Sequence, residues 1–132
     1  LKAKHYTMVD EEYYETVVEG MRAAVTDGTC RIANNTMYEV CGKTGTAQNP
    51  HGADHSAFMG FAPKDNPKIA IAVYVENGGW GATYGVPIGA LMMEQYINGC
   101  LSPESEEKAR NMEERRINYG YEIQKYMFKV DE

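Results

Sequence analysis

The best candidates for chemistry in this chain lie in one segment, Gly42-Lys43-Thr44-Gly45-Thr46. A lysine next to hydroxyl groups can recognise an anion, because Lys43 supplies positive charge while Thr44 and Thr46 supply hydrogen-bond donors. Gly45 has no side chain, so a substrate backbone can approach it closely. A backbone N–H just past the glycine can also donate to a developing oxyanion. The pattern therefore predicts an anion-recognition surface on an extended strand.

Three strand-forming segments place this motif in a sheet. The first covers residues 37–47, the second residues 56–62 and the third Ile69–Val75. Short polar connections between them favour an antiparallel meander. The third segment is apolar on both alternating faces, as expected of a strand that is covered on both sides near the centre of a sheet. In a three-stranded meander it would instead lie at an edge, so we expect that edge to be covered by upstream strands, by another copy of the chain or by the tail from Tyr119 onward.

Helical periodicity flanks the meander on both sides. Asp10 is a candidate N-cap for a helix over residues 11–26, and Gly28 is expected to end that helix in the left-handed conformation. A second helix is predicted over residues 86–98, with Gly99 at its end. The predicted fold class is α+β, with an N-terminal helix, a three-stranded antiparallel meander and a C-terminal helix.

The composition changes at residue 102, which divides the chain into residues 1–101 and a charged helical extension over residues 102–132. The first helix of the extension, predicted to run to about Ile117, has few apolar side chains to bury. We expect it to be solvated and loosely attached to the rest of the chain.

Composition excludes several classes of function. A chain of 132 residues is long enough for one small domain, and its formal charge of −6 without a basic patch argues against binding to nucleic acid or to an anionic membrane. Cys30, Cys41 and Cys100 form neither a disulfide framework nor a metal-ligand spacing, so we expect free and mostly buried thiols. No cofactor is predicted.

Two side-chain pairs invite a functional interpretation without supporting one strongly. His51 and His55 lie four residues apart, but the proline and glycine around them favour a loop over the helix that a metal site of this spacing needs. Trp80 and Tyr84 flank a glycine-rich loop, and we expect them to pack beneath it. We predict no metal site.

None of the serines is suited to act as a nucleophile. The chain has Ser56, Ser102 and Ser105, and none of them begins an S-x-N motif. Ser105 and Lys108 formally match S-x-x-K, but they lie among glutamates in a polar segment where nothing would desolvate the lysine into a base. We expect Ser105 in the first turn of a solvated helix and Lys108 paired with nearby acids.

Beyond these residues, the chain resembles the transpeptidase domain of class B penicillin-binding proteins, most closely the elongation-type enzyme of rod-shaped bacteria. K-T-G belongs with S-x-x-K and S-D-N to the signature set of serine β-lactamases and penicillin-binding proteins. The resemblance implies the C-terminal part of the serine β-lactamase/transpeptidase-like fold. The matching stretches keep their order and spacing from about residue 5 to residue 99: Val18-Glu19-Gly20-Met21, Gly28-Thr29, residues 42–48, Gly60-Phe61-Ala62-Pro63, Asn66-Pro67 and Val75-Glu76-Asn77-Gly78-Gly79.

The resemblance implies a D,D-transpeptidase that crosslinks peptidoglycan stem peptides by serine acyl transfer and is acylated by β-lactams. It implies that Lys43 provides positive potential and that Thr44, Gly45 and Thr46 bind the terminal carboxylate of substrate or drug. The Thr46 backbone N–H would form half of an oxyanion hole.

The resemblance also implies what lies outside this chain. The nucleophilic serine, its lysine and the S-x-N motif are expected upstream, so the chain alone is predicted to be inactive. A membrane anchor is expected upstream too, with the domain on the periplasmic or extracytoplasmic side among cell-wall elongation proteins.

Two other interpretations stay open. A serine β-lactamase fragment would also contain K-T-G, although residues 60–63 and 76–79 favour the synthase. A non-catalytic interaction or scaffolding domain could have kept the meander after losing its nucleophile. The sequence upstream would distinguish these interpretations, and a homo-oligomer through Ile69–Val75 is compatible with any of them.

Overall fold

The computed structural model describes residues 6–117, which form one antiparallel sheet flanked by helices, so the predicted α+β class is confirmed. Short 3-10 turns occur at Glu11–Tyr13 and Arg31–Ala33. The regular elements, in chain order, are α1 (Tyr14–Thr26), β1 (Cys41–Ala47), β2 (His55–Ala62), β3 (Ile69–Val75), α2 (Gly85–Asn98) and α3 (Pro103–Glu113).

The three strands form the predicted meander, in the order β1-β2-β3 and antiparallel throughout. β1 begins at Cys41, however, so the prediction that it starts at residue 37 is wrong. The backbone carbonyls of the residues just before Cys41 accept hydrogen bonds from groups outside the strand ladder. The Val40 carbonyl accepts from the Arg22 guanidinium at 3.0 Å, and the Glu39 carbonyl accepts from the Lys64 N–H at 2.8 Å.

The core is centred on Phe58 of β2, which is buried between the sheet and α2. Glycines provide the space for its ring. A Cβ added at Gly42, Gly60 or Gly89 would lie between 2.5 and 2.8 Å from atoms of the Phe58 ring. α2 can therefore approach the sheet closely and cover one face of it. The other buried side chains of this cluster are Val25, Cys30, Ala33, Val40, Ala62, Val86 and Met93.

The prediction that β3 is covered on both faces is wrong for the described residues. Ile69, Ile71 and Val73 are half-buried and pack against the core, whereas the alternate residues, among them Ala72 and Tyr74, are exposed. β3 is an edge strand with a helix on one face only. Within residues 6–117 no strand pairs with its outer edge. The tail from residue 119 lies outside the described residues, so the expected covering of this edge stays a prediction.

The helices begin and end close to the predicted positions, but the contacts at Asp10 and Gly28 are not the predicted ones. The Asp10 side chain makes no capping hydrogen bond; its carbonyl instead accepts from the Tyr13 N–H at 3.2 Å and opens a 3-10 turn. Gly28 follows α1 but does not have the left-handed conformation. A Cβ there would lie 2.8 Å from the Ala24 backbone, so glycine permits a close contact. Gly99 does end α2 in the left-handed conformation, with φ of 77°.

α3 is attached more firmly than predicted. Ser105 is buried, and its hydroxyl donates to Glu94 of α2 at 2.6 Å. The Ser102 N–H donates to the other Glu94 oxygen at 2.8 Å, while the Ser102 hydroxyl caps α3. The expectation of a loosely attached, solvated first turn is therefore wrong, because the buried carboxylate of α2 binds it. The predicted ion pair of Lys108 is confirmed, with Glu104 at 2.6 Å.

The division of the chain at residue 102 stays a prediction. Of the helices that the structure describes, none is long and apolar enough to cross a membrane.

Candidate functional site

The Lys43–Thr46 segment lies in β1, the outer strand next to β2. Among the described residues, β1 has no neighbour on its other side, so this edge offers unpaired backbone groups to a ligand. Lys43 and Thr46 are exposed, and Thr44 and Gly45 are partly exposed. The Lys43 ammonium donates to the Thr44 carbonyl oxygen at 2.8 Å, which holds the charge close to the strand. The structure thus brings the predicted residues together on an accessible strand.

Side chains alternate between the two faces of β1, and this separates the lysine of the motif from its two threonines. Lys43 and Gly45 belong to one face of the sheet, and Thr44 and Thr46 belong to the other. Thr46 is opposite Ser56 in the strand register, and Thr44 is opposite the buried Phe58. Only at the edge of β1 can one ligand contact the ammonium, the hydroxyls and the backbone at once.

Thr29 is a site residue that the sequence did not single out for a role. Its hydroxyl oxygen lies 2.8 Å from the hydroxyl oxygen of Thr44, in hydrogen-bonding contact. The turn that contains Thr29 is fixed, because its backbone N–H groups donate to the carbonyls of Ala23 and Ala24 at 2.9 to 3.2 Å. The Gly28-Thr29 pair was a usable signal, but nothing in the sequence indicates that this turn reaches β1.

Cys30 lies beneath the same turn and is fully buried. Burial raises the pKa of the Cys30 thiol, outweighing hydrogen bonds with Thr29 and the Thr44 backbone and the charge of Lys43. Burial likewise raises the pKa of Cys41. Both thiols therefore stay protonated and pack as apolar groups. Cys100 is free and exposed, so the expectation of free and mostly buried cysteines is confirmed.

A glycine loop after β3 supports the motif strand from within the molecule. A Cβ added at Gly81 would lie 2.5 Å from the Ala57 carbonyl oxygen, 2.7 Å from the Gly45 carbonyl oxygen and 2.9 Å from the Thr44 Cβ. Only glycine leaves room for this approach. The loop therefore touches the two central residues of the motif.

Ser56 fixes the other side of this loop. Its hydroxyl donates to the Trp80 carbonyl at 2.9 Å and accepts from the Gly85 N–H at 3.0 Å. The Trp80 side chain is 76% exposed, so the expectation that it packs beneath the loop is wrong. The glycine backbone already fills that space. Tyr84 is partly buried, with the Arg115 guanidinium 5.6 Å from its ring centre.

All three serines of the chain have structural roles. Ser56 holds the glycine loop, Ser102 caps α3 and Ser105 binds Glu94. These roles support the expectation that the nucleophile lies outside this sequence, which itself stays a prediction.

The two histidines of the candidate pair, His51 and His55, lie in different surroundings. His51 is exposed in the loop between β1 and β2, and His55 opens β2. The His55 Nδ1 accepts from the Asn77 N–H at 3.0 Å, so its neutral ring has the proton on Nε2. The helical geometry that two histidines four apart would need is absent. Across residues 6–117, no three His, Cys, Asp or Glu side chains converge as metal ligands.

Comparison with known proteins identifies the family to which this strand belongs. The family model described as the penicillin binding protein transpeptidase domain matches residues 2–94. The chain belongs to the penicillin-binding transpeptidase family. Its resemblance to class B penicillin-binding proteins is thereby confirmed, as is the predicted fold.

Individual relatives agree with this assignment. Peptidoglycan D,D-transpeptidase MrdA of Haemophilus influenzae is 32% identical over an alignment 130 residues long, and the match covers 80% of this chain and 20% of the relative. A crystal structure of Pseudomonas aeruginosa PBP2 in complex with WCK 5153 matches with a TM-score of 0.61 and 36% identity, over 75% of this chain and 23% of that one. The imipenem acyl-enzyme complex of penicillin-binding protein A from M. tuberculosis matches with a TM-score of 0.59 and 29% identity, over 67% and 20%.

The chain spans only about a fifth of the length of these relatives. The family match ends at residue 94, within α2, so α3 lies beyond it.

Proposed function

We propose that this chain forms the carboxylate-binding wall in the active site of a peptidoglycan D,D-transpeptidase, which crosslinks stem peptides by serine acyl transfer. The observation that carries the proposal is the position of Lys43–Thr46 on an open sheet edge, in a chain of the penicillin-binding transpeptidase family. The similarity to a relative named peptidoglycan D,D-transpeptidase supports the proposed reaction. The similarity to a protein solved as an imipenem acyl-enzyme complex supports acylation by β-lactams.

Each residue of the motif has a proposed task. Lys43 supplies positive potential for the carboxylate of substrate or drug, and Thr44 and Thr46 donate hydrogen bonds to it. Gly45 lets the ligand approach the strand. The Thr46 N–H donates to the oxyanion of the tetrahedral intermediate, together with a donor from outside this chain.

The wider setting is part of the proposal. Similarity to MrdA and to PBP2 supports the elongation-type branch. We infer an extracytoplasmic site of action, with an upstream membrane anchor and cell-wall elongation proteins as partners, because crosslinking has to occur where the stem peptides are.

The experiment that tests the proposal is acylation by a fluorescent penicillin. The full-length protein that contains this chain should form a lasting adduct on a serine of an upstream S-x-x-K motif. Lys43→Ala should slow acylation by about 100-fold, because a charge aimed at the bound anion is lost. Lys68→Ala is the matched control, since Lys68 is exposed in the turn before β3, and it should leave the rate unchanged.

Three results would contradict the proposal. Rapid release of hydrolysed penicillin would indicate a β-lactamase. The absence of any adduct on the full-length protein would favour a non-catalytic scaffolding domain. An intact-mass shift of the 132-residue chain alone, mapped to Ser105, would show that the nucleophile lies here after all.

A further inference from the structure

The contact between Thr29 and Thr44 raises a question of proton direction. The two hydroxyl oxygens are 2.8 Å apart, and each hydroxyl has one proton to donate and two lone pairs to accept with. In one arrangement Thr44 donates to Thr29, and its proton is no longer available to a ligand. In the other Thr29 donates to Thr44, and the Thr44 proton stays free.

An anion at the edge of β1 decides between the two arrangements. A carboxylate can only accept, so Thr44 can bind it only by pointing its single proton outward. Thr29 must then be the donor within the pair. The result is a chain of two hydrogen bonds, from Thr29 to Thr44 and from Thr44 to the carboxylate, in which each bond polarises the next.

We propose that Thr29 is a positioning residue of the transpeptidase site, which sets the Thr44 hydroxyl as a donor toward the ligand carboxylate. This inference rests on the proposed function. It adds to the site a residue outside the K-T-G strand, which acts on the ligand only through Thr44.

The structure around Thr29 suits this role. Its turn is tied by backbone hydrogen bonds to the end of α1, and the next residue, Cys30, is fully buried. Gly28 packs so closely on Ala24 that a Cβ would lie 2.8 Å from the Ala24 backbone. The hydroxyl of Thr29 is therefore held at a fixed place beside β1.

The effect should depend on the charge of the ligand. A negative carboxylate gains more than a neutral ester from a polarised donor, because hydrogen bonds to an ionised acceptor are stronger. Loss of Thr29 should weaken recognition of acids selectively. A purely structural role would affect acid and ester alike.

The test measures second-order acylation rates of the full-length protein with penicillin G and with its methyl ester. Thr29→Val keeps the shape and removes the hydroxyl, and it should lower the rate with penicillin G by about tenfold while changing the ester rate less than about twofold. Thr29→Ser restores the hydroxyl and should restore the penicillin G rate. Thr36→Val is the control, since Thr36 is exposed beside the cavity between the 31–38 segment, α2 and α3, and it should leave both rates unchanged.

The outcomes separate the two claims. If the wild-type protein is acylated and Thr29→Val matches it with penicillin G, the role of Thr29 is wrong while the proposed function stands. An equal loss with acid and ester, or a failure of Thr29→Ser to restore the rate, would also overturn it. If the wild-type protein is not acylated at all, both claims fall together.

Discussion

Gly81 shows how a single residue without a side chain can determine the shape of the motif strand. A Cβ added to it would lie only 2.5 Å from the Ala57 carbonyl oxygen and 2.7 Å from the Gly45 carbonyl oxygen, which is too close for any side chain. The glycine loop therefore packs directly against β1. The hydrogen bonds of the Ser56 hydroxyl also fix this loop relative to β2 and to the start of α2.

We predict that Gly81→Ala lowers the free energy of unfolding by about 3 kcal/mol, because the backbone around the added methyl group has to move. Gly20→Ala is the matched control. Gly20 is exposed in α1, and a Cβ there meets nothing within 4 Å. Alanine at this position should stabilise the chain by about 1 kcal/mol through helix propensity. Denaturant unfolding of the 132-residue chain measures both changes. Equal stability of Gly81→Ala and wild type would contradict the tight contact.

The sequence predicted the site only as far as local chemistry allowed. Lys43, Thr44 and Thr46 were identifiable because consecutive residues of one strand contain the necessary charge and hydroxyls. Thr29 was not identifiable, because its partner Thr44 lies 15 residues further along the chain. Only the turn after α1 brings the two hydroxyls together. Ser105 was assigned to a solvated turn because its acceptor, Glu94, looks like any polar residue of α2 until the two helices are placed together.

At the scale of elements, the attachment of α3 depends on one carboxylate. Glu94 is buried, with Ser102 and Ser105 as its donors. Burial opposes ionisation of Glu94, but the hydrogen bonds from Ser105 and Ser102 and the charge of Lys108 outweigh it and lower its pKa. Burial also raises the pKa of Tyr38 to about 12, with a contribution from the negative charge of Glu94.

This pKa shift gives α3 a defined pH dependence. A group whose folded-state pKa is lowered contributes stability above its unfolded pKa and loses it as the pH falls through the folded value. The ordinary value for Glu94 is 4.5, so its contribution is present at neutral pH and is lost in the acid range below that value.

We predict that Ser105→Ala destabilises the chain by about 2 kcal/mol at pH 7, as expected for a lost hydrogen bond to a charged group. The difference from wild type should shrink as the pH falls below 4.5 and through the lowered folded-state pKa of Glu94, where the carboxylate becomes protonated. Glu107→Ala, at an exposed position of the same helix, should change stability by less than about 0.5 kcal/mol. Denaturant unfolding between pH 7 and pH 3 measures all three proteins. A Ser105→Ala effect that is constant across this range would contradict the role of the carboxylate.

The elements themselves were predictable to different degrees. β3 and the end of α2 follow from strong patterns, an apolar run and a glycine at a left-handed position. The start of β1 does not, because Arg22 of α1 binds the backbone that would otherwise extend the ladder. The sequence predicts burial of both faces of β3, because its residues are apolar on both. An apolar face shows only that burial is possible, and whether another layer packs on it depends on the rest of the molecule.

The described part of the molecule leaves apolar surface exposed on several elements. Tyr13 in the 3-10 turn before α1 and Val17 of α1 are more than half exposed, as are Met59 and Tyr74 on the face of the sheet opposite the core. Both outer strands also have one edge without a strand neighbour among residues 6–117. The free edge of β1 is explained by its proposed role in binding a ligand. The free edge of β3 has no such role, and an apolar edge of this kind favours pairing with another strand.

We predict that the outer edge of β3 is covered in solution, by a second copy of the chain or by the tail from Tyr119 onward. Hydrogen exchange of the amides in Ile69–Val75 tests this, because only alternate amides of an edge strand bond to β2. Protection of both alternating sets is expected, and a concentration-dependent loss of it would indicate a second copy. Ala72→Lys, at an exposed position of β3, should weaken such pairing, whereas Ala53→Lys, at an exposed position of the loop between β1 and β2, should not. If the outward-facing set exchanges as fast as the amides of residues 48–54, the edge is open and the prediction is wrong.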